Sequence, residues 1–226
     1  MRLGLLGGSF NPIHRCHLSI ARSARQLLQL DRVLFIPTGD PPHKQPGTLA
    51  AASHRHRMVQ LAIQDTPEFA LTDIEIQRSG KSYSIDTVRA IQQEYGPDTV
   101  LFFIIGLDAF LDLPSWKEAD TLLKSCHFVV ISRPSTSFQA MAAIPLFRDV
   151  PQTTLTALDE VQQERADVAI TNGQALTFLR LPPCDVSASE IRARLRSGAS
   201  LANLLPTPVE SYILREELYR EDSERL

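Results

Sequence analysis

Two histidines and a pair of glycines near the start of the chain form a cluster fit to handle a phosphate. They lie in Gly7-Gly8-Ser9-Phe10-Asn11-Pro12-Ile13-His14-Arg15-Cys16-His17, directly after the apolar run Leu3 to Leu6. Glycines let backbone amides approach a phosphate, and histidines three residues apart at a helix start share one face near the positive end of the helix dipole. Such a pair can donate N–H bonds to a polyphosphate; standing alone, it also reads as two histidines on a solvated turn. The segment is neither a P-loop, because no Lys follows a second Gly, nor the dinucleotide fingerprint GxGxxG. Far along the chain, Ser187-Ala188-Ser189-Glu190 has the spacing of a capping box, with Ser187 as N-cap and Glu190 three residues later. Ser189 and Arg192 would add a hydroxyl and a guanidinium to the N–H groups of that helix start, a set suited to β- and γ-phosphates. Capping and binding are compatible there.

The elements that must position these groups alternate. Leu3 to Leu6 reads as a buried strand closed by Gly7-Gly8, and Ile13 to Leu30 as an amphipathic helix. Val33 to Ile36 is a strand ended by Pro37; a loop rich in Pro and Gly follows through Gly47, then a helix from about Ser53 to Gln64. Phe69 to Ile76 reads as a strand, Ile85 to Tyr95 as a helix stopped by Gly96-Pro97, and Val100 to Ile105 as a central strand apolar on both faces. A helix from about Ser115 to Lys124 and a strand from His127 to Ile131 continue the rhythm. Residues 134–172 break it, with helical pieces around Phe138 to Phe147 and Leu155 to Glu164 and no clear strand. A last strand over Ala175 to Leu181 and helices over Ser187 to Arg196 and Pro208 to Tyr219 complete the chain. The expectation is an α/β, Rossmann-like open parallel sheet with helices on both faces and helices at the C-terminus. One domain would span residues 1–226, with a helical insertion at about 134–172.

Composition narrows the function classes. At 226 residues, 43% hydrophobic and 22% charged, the chain is an ordinary globular protein able to bury a real core. Twenty-three Lys and Arg against 26 Asp and Glu leave a formal charge of −3, so any anion site must be local. Nucleic-acid binding would need a basic stripe, and Arg192, Arg194 and Arg196 are too few. The three cysteines, at 16, 126 and 184 with no CxxC, do not make a disulfide framework, and a cytoplasmic setting fits them best. Cys126 and Cys184 read as small buried residues. The apolar start is too short for a signal peptide, and Val100 to Ile105 is too short to span a bilayer, so no membrane role is expected. Neither Cys16 with its flanking histidines nor His54-Arg55-His56 has the four-ligand spacing of a zinc site, and no protein-held metal is expected.

Taken together, Gly7 to His14 with His17 resembles the (T/H)xGH-type nucleotidyltransferase signature, and Val186-Ser187-Ala188-Ser189-Glu190-Ile191-Arg192 resembles that superfamily's ISSTxIR motif. Within it, Pro41-Pro42-His43-Lys44, His56-Arg57-Met58, Ser82 to Thr87, Ile104 to Asp108, Leu113 to Trp116 and Leu204 to Val209 are similar to bacterial nicotinate-mononucleotide adenylyltransferases. The resemblance spans about residues 3 to 133 and 181 to 219. It implies adenylyl transfer from ATP to nicotinate mononucleotide, giving nicotinate adenine dinucleotide and pyrophosphate on the way to NAD.

By that resemblance His14 and His17 hold the ATP phosphates and stabilise the transition state, Ser187, Ser189 and Arg192 bind ATP, and Lys44 neutralises charge where the two substrates meet. Gly8, Ser9 and Phe10 join the ATP site, with Gly106 and with Asp108, placed after a buried strand where it can bond a ribose hydroxyl or cap the next helix. Ser84 and Trp116 read the pyridine nucleotide, amides meeting the nicotinate carboxylate while the indole stacks; Trp116 also reads as an aromatic core anchor. Mg²⁺ comes with ATP. Two positions depart from the pattern. Cys16 stands where the family has Gly, with a side chain that would press on the adenosine, and Ala188-Ser189 replace the usual Ser and Thr. The rival readings are an adenylyltransferase for nicotinamide mononucleotide or another phosphorylated small molecule, and a nucleotide-binding protein with weakened turnover, which Cys16 alone supports. Ser82 to Thr87 and Trp116 argue against a pantetheine-phosphate substrate.

Overall fold

The computed structural model describes residues 1–41, 49–133, 136–148, 150–170 and 174–220. The strands are β1 (Arg2–Gly8), β2 (Arg32–Pro37), β3 (Phe69–Leu71), β4 (Val100–Gly106), β5 (His127–Ile131), β6 (Arg165–Ala169) and β7 (Ala175–Leu179). The helices are α1 (Arg15–Leu28), α2 (Ala52–Ile63), α3 (Ser84–Tyr95), α4 (Leu107–Leu111), α5 (Ala119–Ser125), α6 (Gln152–Asp159), α7 (Ala188–Ser197) and α8 (Thr207–Arg215). The strands form one sheet in the order β3-β2-β1-β4-β5-β7-β6. Among the described pairings, β1–β4, β4–β5 and β5–β7 are parallel and β6–β7 is antiparallel. This is the expected α/β, Rossmann-like architecture.

Two compact units divide the chain. The first comprises Met1–Leu6, Ser23–Val33 and Tyr83–Pro183. Its centre is β4, whose Leu101 to Ile105 are all buried, as a continuous apolar run between two parallel neighbours must be. Ile104 lies opposite Leu6 on one side and Val129 on the other, and replacing it by Ala would cost about 2–5 kcal/mol, the usual penalty for a core cavity. Helix α3 ends where Gly96 takes a positive φ of 81° and its N–H bonds Gln92 O, with Pro97 beyond to block another turn.

The stretch 134–172 differs from the expectation in one respect. It holds 3-10 helices over Phe138–Ala143 and Pro145–Phe147 and helix α6, but also strand β6. Its side chains alternate between exposed and half-buried, so no buried apolar run announces it; antiparallel pairing with β7 makes it a strand. The stretch shares this unit's core: Phe147 stacks on Phe110 at 4.6 Å and Phe138 meets Phe178 edge-on at 5.8 Å. Helix α4 is a second addition to the expected elements. The predicted strand over Phe69 to Ile76 is shorter, because after Thr72 N–H bonds Phe35 O the chain turns, with Gln77 N–H on Asp73 O.

The second unit comprises Gly7–Arg22, Leu34–Ser82 and Cys184–Leu226. Helix α7 begins at Ser187, whose hydroxyl accepts the Glu190 N–H, and ends at Gly198 in the left-handed conformation. The reciprocal half of the expected capping box is missing, because the Glu190 carboxylate is taken by Arg194 one turn on, at 2.7 and 2.9 Å. Cys16 and Cys184 form a disulfide across 168 residues, which corrects both the reading of the cysteines as unpaired and that of Cys184 as buried; Cys184 is exposed. No spacing rule connects cysteines so far apart. Cys126 is free and buried, and burial pushes its thiol pKa well up. Among the described residues no helix is long and apolar enough to cross a membrane.

Candidate active site

In the second unit the turn after β1 is built around a buried cation. Arg55, in the first turns of α2, is 2% exposed and donates to Ser9 O at 2.9 Å, Thr38 O at 2.6 Å, Gly39 O at 3.3 Å and Ala50 O at 2.9 Å. Burial lowers its pKa and the nearby Tyr219 and Glu75 work the other way, but an arginine stays charged throughout. One side chain thus pins the motif turn, the end of β2 and the entry to α2, and it places a positive charge behind Ser9. The ring of Phe10 is in the core, against Phe35 and near-perpendicular to the His17 ring, so Phe10 can meet a ligand only through its main chain. A Cβ on Gly8 would stand 3.3 Å from that ring, which favours glycine there.

The two histidine rings pack against each other, tilted by 35°. Their ring centroids are 3.8 Å apart, and the His14 main-chain N–H donates to His17 Nδ1 at 3.2 Å. An accepting Nδ1 leaves the ring proton on Nε2, which makes Nε2 of His17 a donor; His14 is 5% exposed and His17 half-buried. The N-terminus of α7 belongs to the same constellation. Arg192 Nη1 donates to Asn11 O at 2.7 Å and Nη2 to Ser189 Oγ at 3.2 Å, while Arg15 N–H donates to Leu204 O at 3.1 Å. The turn that carries His14 and His17 is therefore tied through Asn11 to the first turns of α7, which carry Ser189 and Arg192. Ser187 Oγ is engaged as the cap. Cys16 is 2% exposed with its sulfur joined to Cys184, so the side chain expected to crowd a nucleotide ties the motif helix to the approach to α7 instead. Lys44 lies outside the described residues.

In the first unit Gly106 ends β4 and Asp108 is the second residue of α4. Asp108 Oδ1 pairs with Arg133 Nε at 3.4 Å, and a Cβ on Gly106 would lie 2.5 Å from that oxygen and 2.7 Å from that nitrogen. The glycine therefore makes room for the ion pair. Ser84 is the first residue of α3, where helix N–H groups have no intrahelical acceptor. Trp116 is half-buried, edge-on to Phe103 at 6.3 Å, and its own N–H closes a turn on Leu113 O. The structure brings these two segments together: Lys117 Nζ reaches Asp86 at 3.0 Å and lies 4.9 Å from the Tyr83 ring centre.

Sequence reasoning missed Arg55, Asn11, Tyr219 and Arg133. Arg133 carried a signal, because it follows a buried strand at its carboxyl end, where ligands of open sheets bind. Arg55 carried none, since an arginine among histidines reads as surface. His54 of the same tract bonds Tyr212 Oη at 2.8 Å, and among the described residues no group of three or more His, Cys, Asp or Glu could hold a metal ion.

A family model described as cytidylyltransferase-like matches residues 5–194. A relative from Geobacter metallireducens, named a probable nicotinate-nucleotide adenylyltransferase, is 41% identical over 222 residues, covering 98% of this chain and 100% of its own. One of the same name from Citrifermentans bemidjiense is 42% identical over 223 residues, covering 97% and 98%. Among solved structures, Plasmodium falciparum nicotinic acid mononucleotide adenylyltransferase complexed with NaAD superposes with a TM-score of 0.71 at 19% identity, covering 96% of this chain and 97% of that one. At that identity the likeness speaks for the fold.

Proposed function

This chain belongs to the cytidylyltransferase-like family, among its nicotinate-nucleotide adenylyltransferases, and from that premise we propose that it transfers the adenylyl group of ATP to nicotinate mononucleotide, forming nicotinate adenine dinucleotide and pyrophosphate for NAD biosynthesis. The observation that carries the reading is the packed His14–His17 pair in a motif turn that Arg192 of α7 holds by its bond to Asn11 O.

A phosphate oxygen of the mononucleotide attacks the α-phosphorus of ATP in line; the new O–P bond forms as the bond to the β-phosphate bridging oxygen breaks, and that oxygen leaves with pyrophosphate. No enzyme nucleophile is needed, so catalysis consists of alignment and of donors aimed at developing charge. His17 donates from Nε2 and His14 stands beside it. Ser189 and Arg192 take the β- and γ-phosphates at the positive end of α7, and the main chain of Gly8, Ser9 and Phe10, backed by Arg55, lines the phosphate path. Lys44 neutralises charge where the two substrates meet. Asp108, steadied by Arg133 over Gly106, bonds a ribose hydroxyl. The N–H groups at Ser84 hold the nicotinate carboxylate and Trp116 stacks on the ring. The donors around the motif are imidazole, hydroxyl and guanidinium groups, which suit phosphate oxygens rather than a hard cation. Mg²⁺ therefore belongs to the nucleotide substrate, where it screens the triphosphate.

Labelled ATP tests the reaction type. Label in the α-phosphate should appear in the dinucleotide and label in the γ-phosphate in pyrophosphate. Release of γ-label as orthophosphate, or of α-label as free AMP, would refute adenylyl transfer.

A further inference from the structure

We propose that Tyr219, close to the C-terminus and outside every motif, is a positioning residue for the ATP-phosphate site, acting through Asn11 on Arg192; the inference rests on the phosphate role given to Arg192 above. Asn11 is 4% exposed and sits in the middle of the motif turn. Its side-chain oxygen accepts two bonds, from the Ala50 N–H at 3.0 Å and from the Tyr219 hydroxyl at 2.9 Å. A carbonyl oxygen has two lone pairs, so both are engaged. Held there, Asn11 presents its main-chain oxygen to Arg192 Nη1 at 2.7 Å, while Arg192 Nη2 reaches Ser189 Oγ at 3.2 Å. The guanidinium plane is thus set by an oxygen whose own residue is anchored from the far end of the chain.

Tyr219 suits this duty. It follows α8 in a left-handed conformation, φ 66°, in a stretch where the Leu218 N–H returns to Ile213 O. The ring is half-buried and the hydroxyl lies near the charges of Arg192 and Arg55. Burial raises the phenol's pKa, the two arginines working against it, so the hydroxyl keeps the proton that it donates to Asn11. Arg55 holds the neighbouring Ser9 and Ala50 carbonyls, so the turn is rigid on that side, and the Tyr219 hydroxyl supplies the constraint from the other. A small displacement of an oriented group costs far more in substrate positioning than in folding.

Tyr219→Phe removes one oxygen at a half-buried position and keeps the ring, so the fold survives it. The measurement is steady-state kinetics on the full chain for Y219F, R192A and the double variant. For Y219F, the KM for ATP should rise roughly fivefold, the worth of one neutral hydrogen bond. The KM for nicotinate mononucleotide should stay within about twofold, and the double variant should match R192A within about twofold, because both changes act through one group. A purely structural tyrosine would lower the melting temperature and leave both KM values alone, which would overturn the proposal. Multiplicative effects of the two substitutions would overturn it as well. Should R192A leave the KM for ATP unchanged, the phosphate role of Arg192 itself would fall, and the proposal with it.

Discussion

The main-chain N–H of His14 donates to Nδ1 of His17 at 3.2 Å, and this bond decides which face of His17 does chemistry. With Nδ1 an acceptor, Nε2 carries the ring proton, and the ring is held by the helix start and by its near-perpendicular contact with Phe10 at 5.1 Å.

His17→Ala should therefore lower kcat by about a hundredfold or more while leaving the fold intact, since a donor aimed at developing phosphate charge is worth about 2.7–4 kcal/mol. The tautomer refines the expectation. Gln places its amide nitrogen near the Nε2 position and Asn places it near Nδ1, so His17→Gln should retain more activity than His17→Asn. Equal losses, or an unchanged kcat for the alanine variant with normal melting, would remove the assignment.

Gly106→Ala tests the Asp108–Arg133 pair without touching either residue. The added methyl would meet both partners, at 2.5 and 2.7 Å, so the pair must separate. The expected outcome is a kcat/KM for ATP lower by about tenfold or more, because a misplacement near 1 Å is costly at an aligned site. An unaltered kcat/KM would mean that Asp108 does not handle the nucleotide.

The fold was legible where burial writes itself into residue type. Val100 to Ile105 is apolar throughout because it is covered on both faces, and Ser187 betrays a helix start because its hydroxyl caps one. The link between the motif turn and α7 was legible in part, since both the His14–His17 spacing and the Ser187–Glu190 spacing mark helix starts, and Arg192 joins the two through Asn11 O. What escaped was set by tertiary partners. Strand β6 exists because β7 offers it a ladder, not because Arg165 to Ala169 alternate strongly. Arg55 finds Ser9 across 46 positions and Tyr219 finds Asn11 across 208, and neither is marked by its neighbours in sequence. Cys16 shows the limit most clearly, since only its bond to Cys184 says which way the side chain turns.

Cys184→Ser removes that cross-link from an exposed position. In non-reducing buffer the variant should be less stable than the parent by about 2–4 kcal/mol, the usual worth of a disulfide, measured by denaturant unfolding. In the presence of excess dithiol the two proteins should unfold alike. A difference that persists under reducing conditions would mean that Cys184 contributes by packing.

Asp159 anchors the stretch after β5 to the end of α6. Burial disfavours its charge, but bonds from Ser137 Oγ and from the N–H groups of Phe138 and Gln139 outweigh that and hold its carboxyl below the usual range. A lowered folded-state pKa adds stability that is complete above the unfolded value and is lost as pH falls through the folded one. Asp159→Ala should thus lower stability by about 1–3 kcal/mol near neutral pH, with the gap closing below about pH 4. A gap of constant size down to about pH 2.5 would show that the charge is not what matters.

The decisive measurement follows pyrophosphate release with ATP and each of the two pyridine mononucleotides side by side. N–H groups at the start of α3 favour an anion, and a charge-assisted bond is worth about 1.5–3 kcal/mol, so kcat/KM for nicotinate mononucleotide should exceed that for nicotinamide mononucleotide by at least about tenfold. Equal values for the two, or no pyrophosphate with nicotinate mononucleotide, would contradict the account.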